Sequence, residues 1–305
     1  MYSKAGIAYV DYFVPDQEIL MEQVIQEIDL SNLPASFNNK KEYHQFVDEI
    51  LGVKAVRMSI TDDSVMLDHL VNRMFQRTEL KASDVDVIIF INEPDRIKGE
   101  NFIQAVKHRH SMENAYFMNI SGNFCSNGEI ALTMASALLN GNPSIHNVLI
   151  LGSISISDNK DRLFSSYAVL GDGAALVLLN RQARLKVLDS VILSNGGFYN
   201  IKITDDNTLL HFKFTRDCLS KMIAENDLNT QVISDIIIQN ANPLLVEHAM
   251  ESLGLNTNLI RKNFSSIGHL AYLDMFVNLK NFTKGDSSDE KSILTFGMGF
   301  SGTYA

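Results

Sequence analysis

Residues 116–139 read YFMNISGNFCSNGEIALTMASALL, and this stretch decides the fold prediction. Residues 116–120 have the length and composition of a short strand. A polar turn follows, which contains a glycine and one of the two cysteines of the chain. From 129 to 139 the sequence is apolar nearly all round, which predicts a helix buried at the centre of the molecule.

The segments on either side of this stretch continue the alternation of strands and helices. Continuous apolar runs at 85–91 (VDVIIFI), 147–152 (NVLILG) and 174–179 (AALVLL) have strand length and predict strands covered on both faces. Residues 5–12 have a β-like pattern, whereas 17–28 and 63–75 have helical spacing. The sequence therefore predicts an α/β protein of stacked layers.

The second half of the chain repeats features of the first. Residue 86 begins DVIIFINEP and residue 235 begins DIIIQNANP, each after an amphipathic helix and before another helix. We interpret this as an internal duplication, with one half at 1–180, the other at 181–305 and the join around 180–186. If the two halves pack face to face, a site is expected where their loops meet.

Composition excludes several functional classes. The 305 residues include 36 acidic and 26 basic side chains, giving a net charge of -10, and 46% of them are hydrophobic. This balance argues against a nucleic-acid partner. The apolar runs are shorter than the ~20 residues that span a bilayer. The N-terminus does not resemble a signal peptide, and two cysteines cannot form a disulfide framework, so we expect a cytoplasmic protein with free thiols.

Cys125 is the first candidate for chemistry. It lies on the predicted strand-to-helix turn, where the N-terminus of a helix favours thiolate over thiol and offers backbone N–H groups to an oxyanion. A thiolate is a nucleophile for acyl transfer. The alternative is that Cys125 is one more small buried residue, which we expect of Cys218 within a helical stretch.

His269 is the candidate base. Among the eight histidines it alone lies on a glycine turn before a predicted helix (270–279), in the second half and roughly where Cys125 lies in the first. The C-terminal stretch 294–302, LTFGMGFSG, is a strand running into a glycine-rich turn that would allow backbone N–H groups to approach a ligand. No phosphate-binding glycine motif is present, and the Gly171 turn has a structural interpretation.

These segments, in their order along the chain, resemble the thiolase superfamily, and within it the β-ketoacyl-acyl-carrier-protein synthase III branch. LGVKAVR at 51–57 resembles the family's early TGI..R segment, and LGDGAALVL at 170–178 its FGDGAGAVVL signature. QNAN at 239–242 is similar to HQAN, LGL at 253–255 to the LGL after it, and FGMGFS at 296–301 to FGGGFTWG. Gly268 and His269 fall on the GN of HGNTSAAS, and Cys125 matches the nucleophile. The resemblance implies a five-layered α-β-α-β-α sandwich of two halves, usually as a dimer.

Two departures from the family pattern alter the expected chemistry. The family's His position holds Gln239, and its Asn position holds His269. A glutamine amide donates hydrogen bonds but does not carry a proton, whereas a histidine does both. The arrangement of cysteine, amide and histidine looks instead like the thiolase pattern, without the second catalytic cysteine of thiolases. A thiolase-type condensation would therefore lack its usual base, and the altered pair argues against ordinary malonyl decarboxylation.

The resemblance implies an acyltransferase or condensing enzyme of specialised lipid or secondary-metabolite biosynthesis. Cys125 would take the acyl group from acyl-CoA or an acyl carrier protein, with His269 as base and Gln239 orienting the thioester carbonyl. The backbone N–H groups of Cys125 and of Met298 or Gly299 would hold the oxyanion. No cofactor or metal is expected, and the partners would be the acyl donor and a second copy or related synthase.

Two alternatives and two surface predictions accompany this interpretation. The chain could be a non-catalytic or half-catalytic subunit of a heterodimeric complex, or a thioester hydrolase. The acyl pocket is expected beside Cys125 and its helix, with contributions from 112–117. A basic docking patch for an acidic carrier protein would draw on exposed cations, the candidates being Lys107, Arg109, Lys202, Lys213 and Arg216.

Overall fold

The computed structural model describes residues 4–34, 36–93, 101–164, 167–200, 208–263, 265–282, 292–299 and 302–305. Its strands are β1 (Gly6–Phe13), β2 (Glu18–Leu20), β3 (Ala55–Arg57), β4 (Val87–Ile91), β5 (Tyr116–Ile120), β6 (Asn147–Ile154), β7 (Leu163–Phe164), β8 (Ala168–Val169), β9 (Gly173–Asn180), β10 (Leu185–Lys186), β11 (Leu193–Ser194), β12 (Ile233–Ile238), β13 (Ile260–Arg261), β14 (Ser292–Phe296), β15 (Met298–Gly299) and β16 (Thr303–Tyr304). Its α-helices are α1 (Met21–Glu27), α2 (Lys40–Phe46), α3 (Asp63–Arg77), α4 (Asn101–Arg109), α5 (Asn127–Gly141), α6 (Thr208–Glu225), α7 (Pro243–Glu251) and α8 (Asp274–Phe282).

The first sheet has six strands in the order β10-β1-β9-β6-β4-β5. Strand β4 pairs in parallel with both β5 and β6. Its side chains alternate between two cores: Ile89 and Ile91 pack on one face, whereas Ile88 and Phe90 pack on the other. A strand covered on both faces reads as a continuous apolar run, so the predicted strand is confirmed.

The second sheet repeats this topology. Strand β12 pairs in parallel with β13 and β14, just as β4 does with β5 and β6. Beyond β14 the chain continues into β15, which pairs with β16, and β16 pairs with β11. Gly297 connects the strands β12–β14 to the strands β11, β15 and β16, because its N–H and carbonyl both pair with Ala305. Since β10 pairs with β1, the first sheet extends beyond residue 180; the division of the chain at 180 stays a prediction.

Five layers result from the way the helices cover the two sheets. Helices α5 and α8 contact each other and lie between the sheets, with α5 against β4 and β6 and α8 against β1 and β12. Helices α3 and α4 cover the outer face of the first sheet, and α6 and α7 pack on the second. This is the predicted α-β-α-β-α sandwich. In the part of the chain described, no helix is both long and apolar enough to cross a membrane.

Two predicted helices begin later than their patterns indicated. Residues 18–20 form β2, which pairs with β3, so the first helix begins at Met21. After His269 a 3₁₀ turn (Ala271–Leu273) precedes α8, which begins at Asp274. Ala271 has a φ of 51° in the left-handed region, which an α-helix does not tolerate. Asp274 therefore opens α8 directly after the turn that follows His269.

Candidate active site

A strained turn holds the nucleophile candidate. After β5, a 3₁₀ turn (Phe124–Ser126) places Cys125 directly before α5. Phe124 has a φ of 51°, a conformation that is costly for a residue with a side chain and is found where surrounding contacts enforce it. Asn127 supplies such contacts, since its Oδ1 accepts hydrogen bonds from the backbone N–H and the Nδ2 of Asn123.

His269 lies directly against Cys125. The distance from Cys125 Sγ to His269 Nε2 is 3.1 Å, and both side chains are buried. The backbone of His269 is fixed by the Gly171 turn: its N–H donates to the Val169 carbonyl at 2.7 Å, and its carbonyl accepts from the Gly171 N–H at 3.0 Å. The structure thus brings together the two side chains that the sequence proposes from opposite halves of the chain.

The GDG turn itself is structural, as its sequence indicated. Asp172 and Arg162 form a fully buried ion pair, with Oδ1 and Nη1 at 2.8 Å. Asp172 also accepts from the backbone N–H groups of Ser59 and Ile156. These contacts pin the loop on which the backbone of His269 rests.

Asp274 is a residue of the candidate site that was not predicted from the sequence. Its Oδ2 accepts a hydrogen bond from His269 Nδ1, and both side chains are fully buried. Its carboxylate also accepts from the backbone N–H groups of Leu270 (2.8 Å) and Asn240 (2.7 Å) and from Asn240 Nδ2 (3.1 Å). Cysteine, imidazole and carboxylate therefore form a continuous chain, in which Asp274 fixes the ring orientation and stabilises the imidazolium. The only sequence signal was an acid opening the helix after the Gly-His turn.

Burial and charge act in opposite directions on this chain. Burial raises the pKa of the Cys125 thiol, while the charge and hydrogen bond of His269 lower it. Burial alone would lower the pKa of His269, but Asp274 and Cys125 outweigh it and raise the pKa to about 10. Burial thus opposes the thiolate that the helix start alone predicts, and activation of the thiol depends on His269.

Gln239 bridges backbone groups, which corrects part of its expected role. Its Nε2 donates to the Cys125 carbonyl at 2.6 Å, and its Oε1 accepts from the Met298 N–H at 3.0 Å. One of the two amide hydrogens is therefore committed to the nucleophile turn. The Met298 N–H is engaged too, so the expectation that it is a free oxyanion donor is wrong for this structure. Gln239 clamps the Cys125 turn to β15.

Gly299 is also held in the structure. It lies opposite Thr303 in the ladder, two positions from the mutually bonded pair of Gly297 and Ala305. Antiparallel ladders alternate bonded and non-bonded pairs, so Gly299 occupies a bonded position. A Cβ at Gly299 would lie 2.1 Å from the Asn123 carbonyl oxygen, so glycine allows β15 to pack on the nucleophile turn. Residues 300 and 301 of the predicted glycine-rich turn lie outside the described residues.

Other candidates lie away from this centre. Cys218 is buried in the core beneath the second sheet, as predicted. The expected basic patch is not formed as proposed: Lys107 is buried and donates to the Ala115 carbonyl, and Arg109 pairs with Asp68. Lys213 and Arg216 lie exposed on α6, whereas Lys202 falls outside the described residues.

A groove of about 620 Å³ lies elsewhere than the predicted pocket. Its lining includes exposed apolar side chains of α6 and α7 and Asn242, three residues after Gln239, but none of residues 112–117: Ile50, Thr208, Leu209, Phe212, Asn242, Leu244, Leu245 and His248. Tyr116 and Phe117 lie instead on the edge strand β5, where Tyr116 is 78% exposed. Within the described residues, no group of three histidine, cysteine or acidic side chains could hold a metal ion.

Comparison with known proteins agrees with this architecture. A family model described as 3-Oxoacyl-[acyl-carrier-protein (ACP)] synthase III matches residues 121–196, the segment that carries the nucleophile turn. No curated protein sequence matches the chain significantly.

Solved synthase structures superimpose along nearly the whole chain. The 3-oxoacyl-[acyl-carrier-protein] synthase III of Aquifex aeolicus is 17% identical, with 98% of this chain and 97% of that chain covered and a TM-score of 0.78. Xanthomonas campestris OleA, crystallised with lauric acid and lauroyl-CoA, is 11% identical, with 100% and 98% covered and a TM-score of 0.80. The priming β-ketosynthase of the R1128 polyketide pathway is 14% identical, with 99% and 95% covered and a TM-score of 0.77. The chain therefore shares the fold of these synthases, which is the thiolase-like fold that its sequence predicts.

Proposed function

We propose that this protein is an acyltransferase or condensing enzyme that carries its acyl group as a thioester on Cys125. The observation that carries the proposal is the buried chain of contacts from Cys125 Sγ to His269 Nε2 (3.1 Å) and from His269 Nδ1 to Asp274. A nucleophile within reach of a base, which is in turn oriented by a third group, is the arrangement that covalent acyl transfer requires.

The first half-reaction loads the enzyme. His269 takes the proton of the Cys125 thiol, and the thiolate attacks the thioester carbonyl of acyl-CoA or an acyl carrier protein. The backbone N–H of Cys125 holds the oxyanion. When the carbon–sulfur bond of the donor breaks, the imidazolium of His269 returns the proton to the leaving thiolate. Asp274 stabilises the imidazolium while it exists.

The second half-reaction transfers the acyl group to an incoming carbon, amine or hydroxyl nucleophile. His269, neutral after the first step, accepts the proton of this acceptor as the acceptor attacks the acyl-Cys125 thioester. Cys125 leaves as a thiolate, the imidazolium of His269 returns the proton to it, and the cycle closes. Because the Gln239 amide does not take up or release a proton, His269 is the group that serves both half-reactions. The likeness to OleA and to a priming ketosynthase supports a role in specialised lipid or secondary-metabolite synthesis.

The groove beside α6 and α7 is our candidate for the approach of the donor arm. Leu209 and Leu244 are 81% and 41% exposed there, and Asn242 connects the groove to Gln239 through three residues of chain. An apolar groove with three polar side chains, those of Thr208, Asn242 and His248, suits the extended arm that CoA and carrier proteins share.

We also propose that two copies associate through the edge strand β5. This strand ends the first sheet, and Tyr116 and Phe117 remain exposed on it. An exposed apolar edge strand is a surface that pairs with another chain. Light scattering should give the mass of two chains, with a single chain as the contradicting result.

Release of free thiol from acyl donors tests the proposed function. Acyl-CoA thioesters of increasing chain length should release one equivalent of CoA per chain in a burst, and Cys125→Ala should abolish the burst. Cys218→Ala is the matched control, because Cys218 is the other buried cysteine and should leave the burst unchanged. A burst that survives Cys125→Ala would overturn the proposal. The alternative of a non-catalytic subunit predicts no burst in wild type.

A further inference from the structure

Glu129 is a buried acid that takes no part in the proposed acyl transfer. It lies in the first turn of α5, four residues after Cys125, and is 5% exposed. Neither carboxylate oxygen has a hydrogen-bond partner among the residues that the structure describes. A buried acid without partners is costly to maintain, particularly when ionised.

The chain makes room for this carboxyl group at a specific place. A Cβ at Gly297 would lie 2.3 Å from Glu129 Cδ, so the carboxyl group packs against the bare backbone between β14 and β15. The next residue, Met298, is the one whose N–H is held by Gln239. Glu129 therefore lies behind the same strand that is clamped to the nucleophile turn.

The charged and titratable groups around Glu129 belong to the candidate active site. His269 and Asp274 act on it from the turn before α8 and from the start of α8. Glu93, at the end of β4, and Asp274 act on Cys125. Tyr272 donates its hydroxyl to the Ser153 carbonyl. The segment that packs directly on the carboxyl group does so with the backbone of Gly297, which is uncharged.

These surroundings keep the carboxyl group neutral at physiological pH. Burial raises the pKa of Glu129 to about 8; the charge of Asp274 adds to the rise, and the charge of His269 opposes it. Below that pH, Glu129 adds no charge to the site. Above that pH, the charge of a second carboxylate acts on the imidazolium of His269 in addition to that of Asp274.

We propose that Glu129 is a positioning residue that sets, through its charge, the pH at which the couple of Cys125 and His269 loses a proton. A nearby anion disfavours the thiolate and favours the imidazolium, so both dissociations require a higher pH once Glu129 is ionised. Glu129 touches neither donor nor acceptor in this role. The proposal rests on the proposed function only in taking Cys125 as the nucleophile.

Alkylation of Cys125 by iodoacetamide across the pH range tests this inference. In Glu129→Gln, which is isosteric and always neutral, alkylation should keep its wild-type rate below about pH 7, where Glu129 is neutral as well. The midpoint of the pH profile of alkylation should be ~1 pH unit lower in the variant than in wild type. Near pH 8.5 the variant should therefore be alkylated about 3- to 10-fold faster than wild type. Glu79→Gln removes an exposed charge and should shift nothing. Peptide mapping separates Cys125 from Cys218.

The contradicting results are distinct from a failure of the proposed function. A Glu129→Gln rate that changes by the same factor at every pH would indicate a purely structural role, and a midpoint that stays or rises would overturn the inference. Alkylation needs no acyl donor, so the shift stands even if no acyl transfer is found. Should the variant fail to fold, infrared spectroscopy of the wild type decides: the C=O band of a protonated buried acid should disappear near pH 8, and its absence at pH 6 would contradict the inference.

Discussion

Two turns at the centre of the molecule have the same backbone and different chemistry. In the first half, Phe124 opens a 3₁₀ turn with a φ of 51°, and α5 follows three residues later. In the second half, Ala271 opens a 3₁₀ turn with the same φ, and α8 follows three residues later. The residue that opens each helix, Asn127 or Asp274, accepts a hydrogen bond from the backbone N–H four residues earlier.

The side chains at matching positions of the two turns are different. Cys125 occupies the second position of the first turn, and Tyr272 occupies that position in the second. Where the first half has the neutral Asn127, the second has Asp274, which also binds His269. The proposed nucleophile therefore comes from one turn, and the carboxylate that binds His269 comes from the other. The two turns thus share their backbone geometry and differ in the side chains that they place at the centre.

Replacement of His269 should cause the largest loss in the rate of Cys125 acylation. A positioned base is worth ~10²–10⁴-fold, so His269→Ala should slow acylation of Cys125 by about that factor. The measurement is the burst rate of CoA release in a stopped-flow assay. His146→Ala, an exposed histidine, is the matched control. A loss below tenfold would mean that imidazole is not the base.

Replacement of Asp274 should have the next largest effect and should distinguish the two helix starts. Asp274→Asn removes the charge that raises the pKa of His269 and should slow acylation by roughly 10- to 1000-fold. The imidazolium should then lose its proton at a lower pH. Asn127→Ala removes the equivalent turn contact without a charge and should slow acylation less than about tenfold while costing about 1 kcal/mol of stability. Equal losses in the two variants would remove the special role of Asp274.

Tyr272→Phe should give the smallest effect. Its hydroxyl donates to the buried Ser153 carbonyl at 2.6 Å, so the variant should lose about 1–2 kcal/mol of unfolding free energy in urea. Acylation of Cys125 should stay unchanged within about twofold, because Tyr272 occupies the nucleophile position of the turn that lacks a nucleophile. A large loss of activity at unchanged stability would show that the second turn takes part in chemistry.

The elements that could be predicted from sequence are those with a local signal. The buried helix after Cys125, the two-faced strand β4 and the glycine turn before His269 each follow from periodicity or turn chemistry over a few residues. Their order gives the fold because parallel strands joined through helices have few ways to pack. The facing of Cys125 and His269 followed from the resemblance and the duplicated order.

The features that could not be predicted depend on distances between remote segments. In the sequence, Asp274 is an acid within an apolar stretch. In the structure, it opens α8 and accepts hydrogen bonds from His269 and Asn240. The contacts of Gln239 with the Cys125 carbonyl and the Met298 N–H depend in the same way on where β15 lies. Lys107 looks like a surface cation, yet its amino group is buried against the Ala115 carbonyl. No local pattern encodes these partners.

The most direct test of the central claim is the intact mass of the protein after brief incubation with an acyl-CoA, followed by peptide mapping. The account predicts one added acyl group per chain, on the peptide that contains Cys125, slower to form in Asp274→Asn and absent in Cys125→Ser. Hydroxylamine should remove it, as expected of a thioester. An unmodified wild-type mass with every donor tried, or an adduct that persists in Cys125→Ser, would contradict the account.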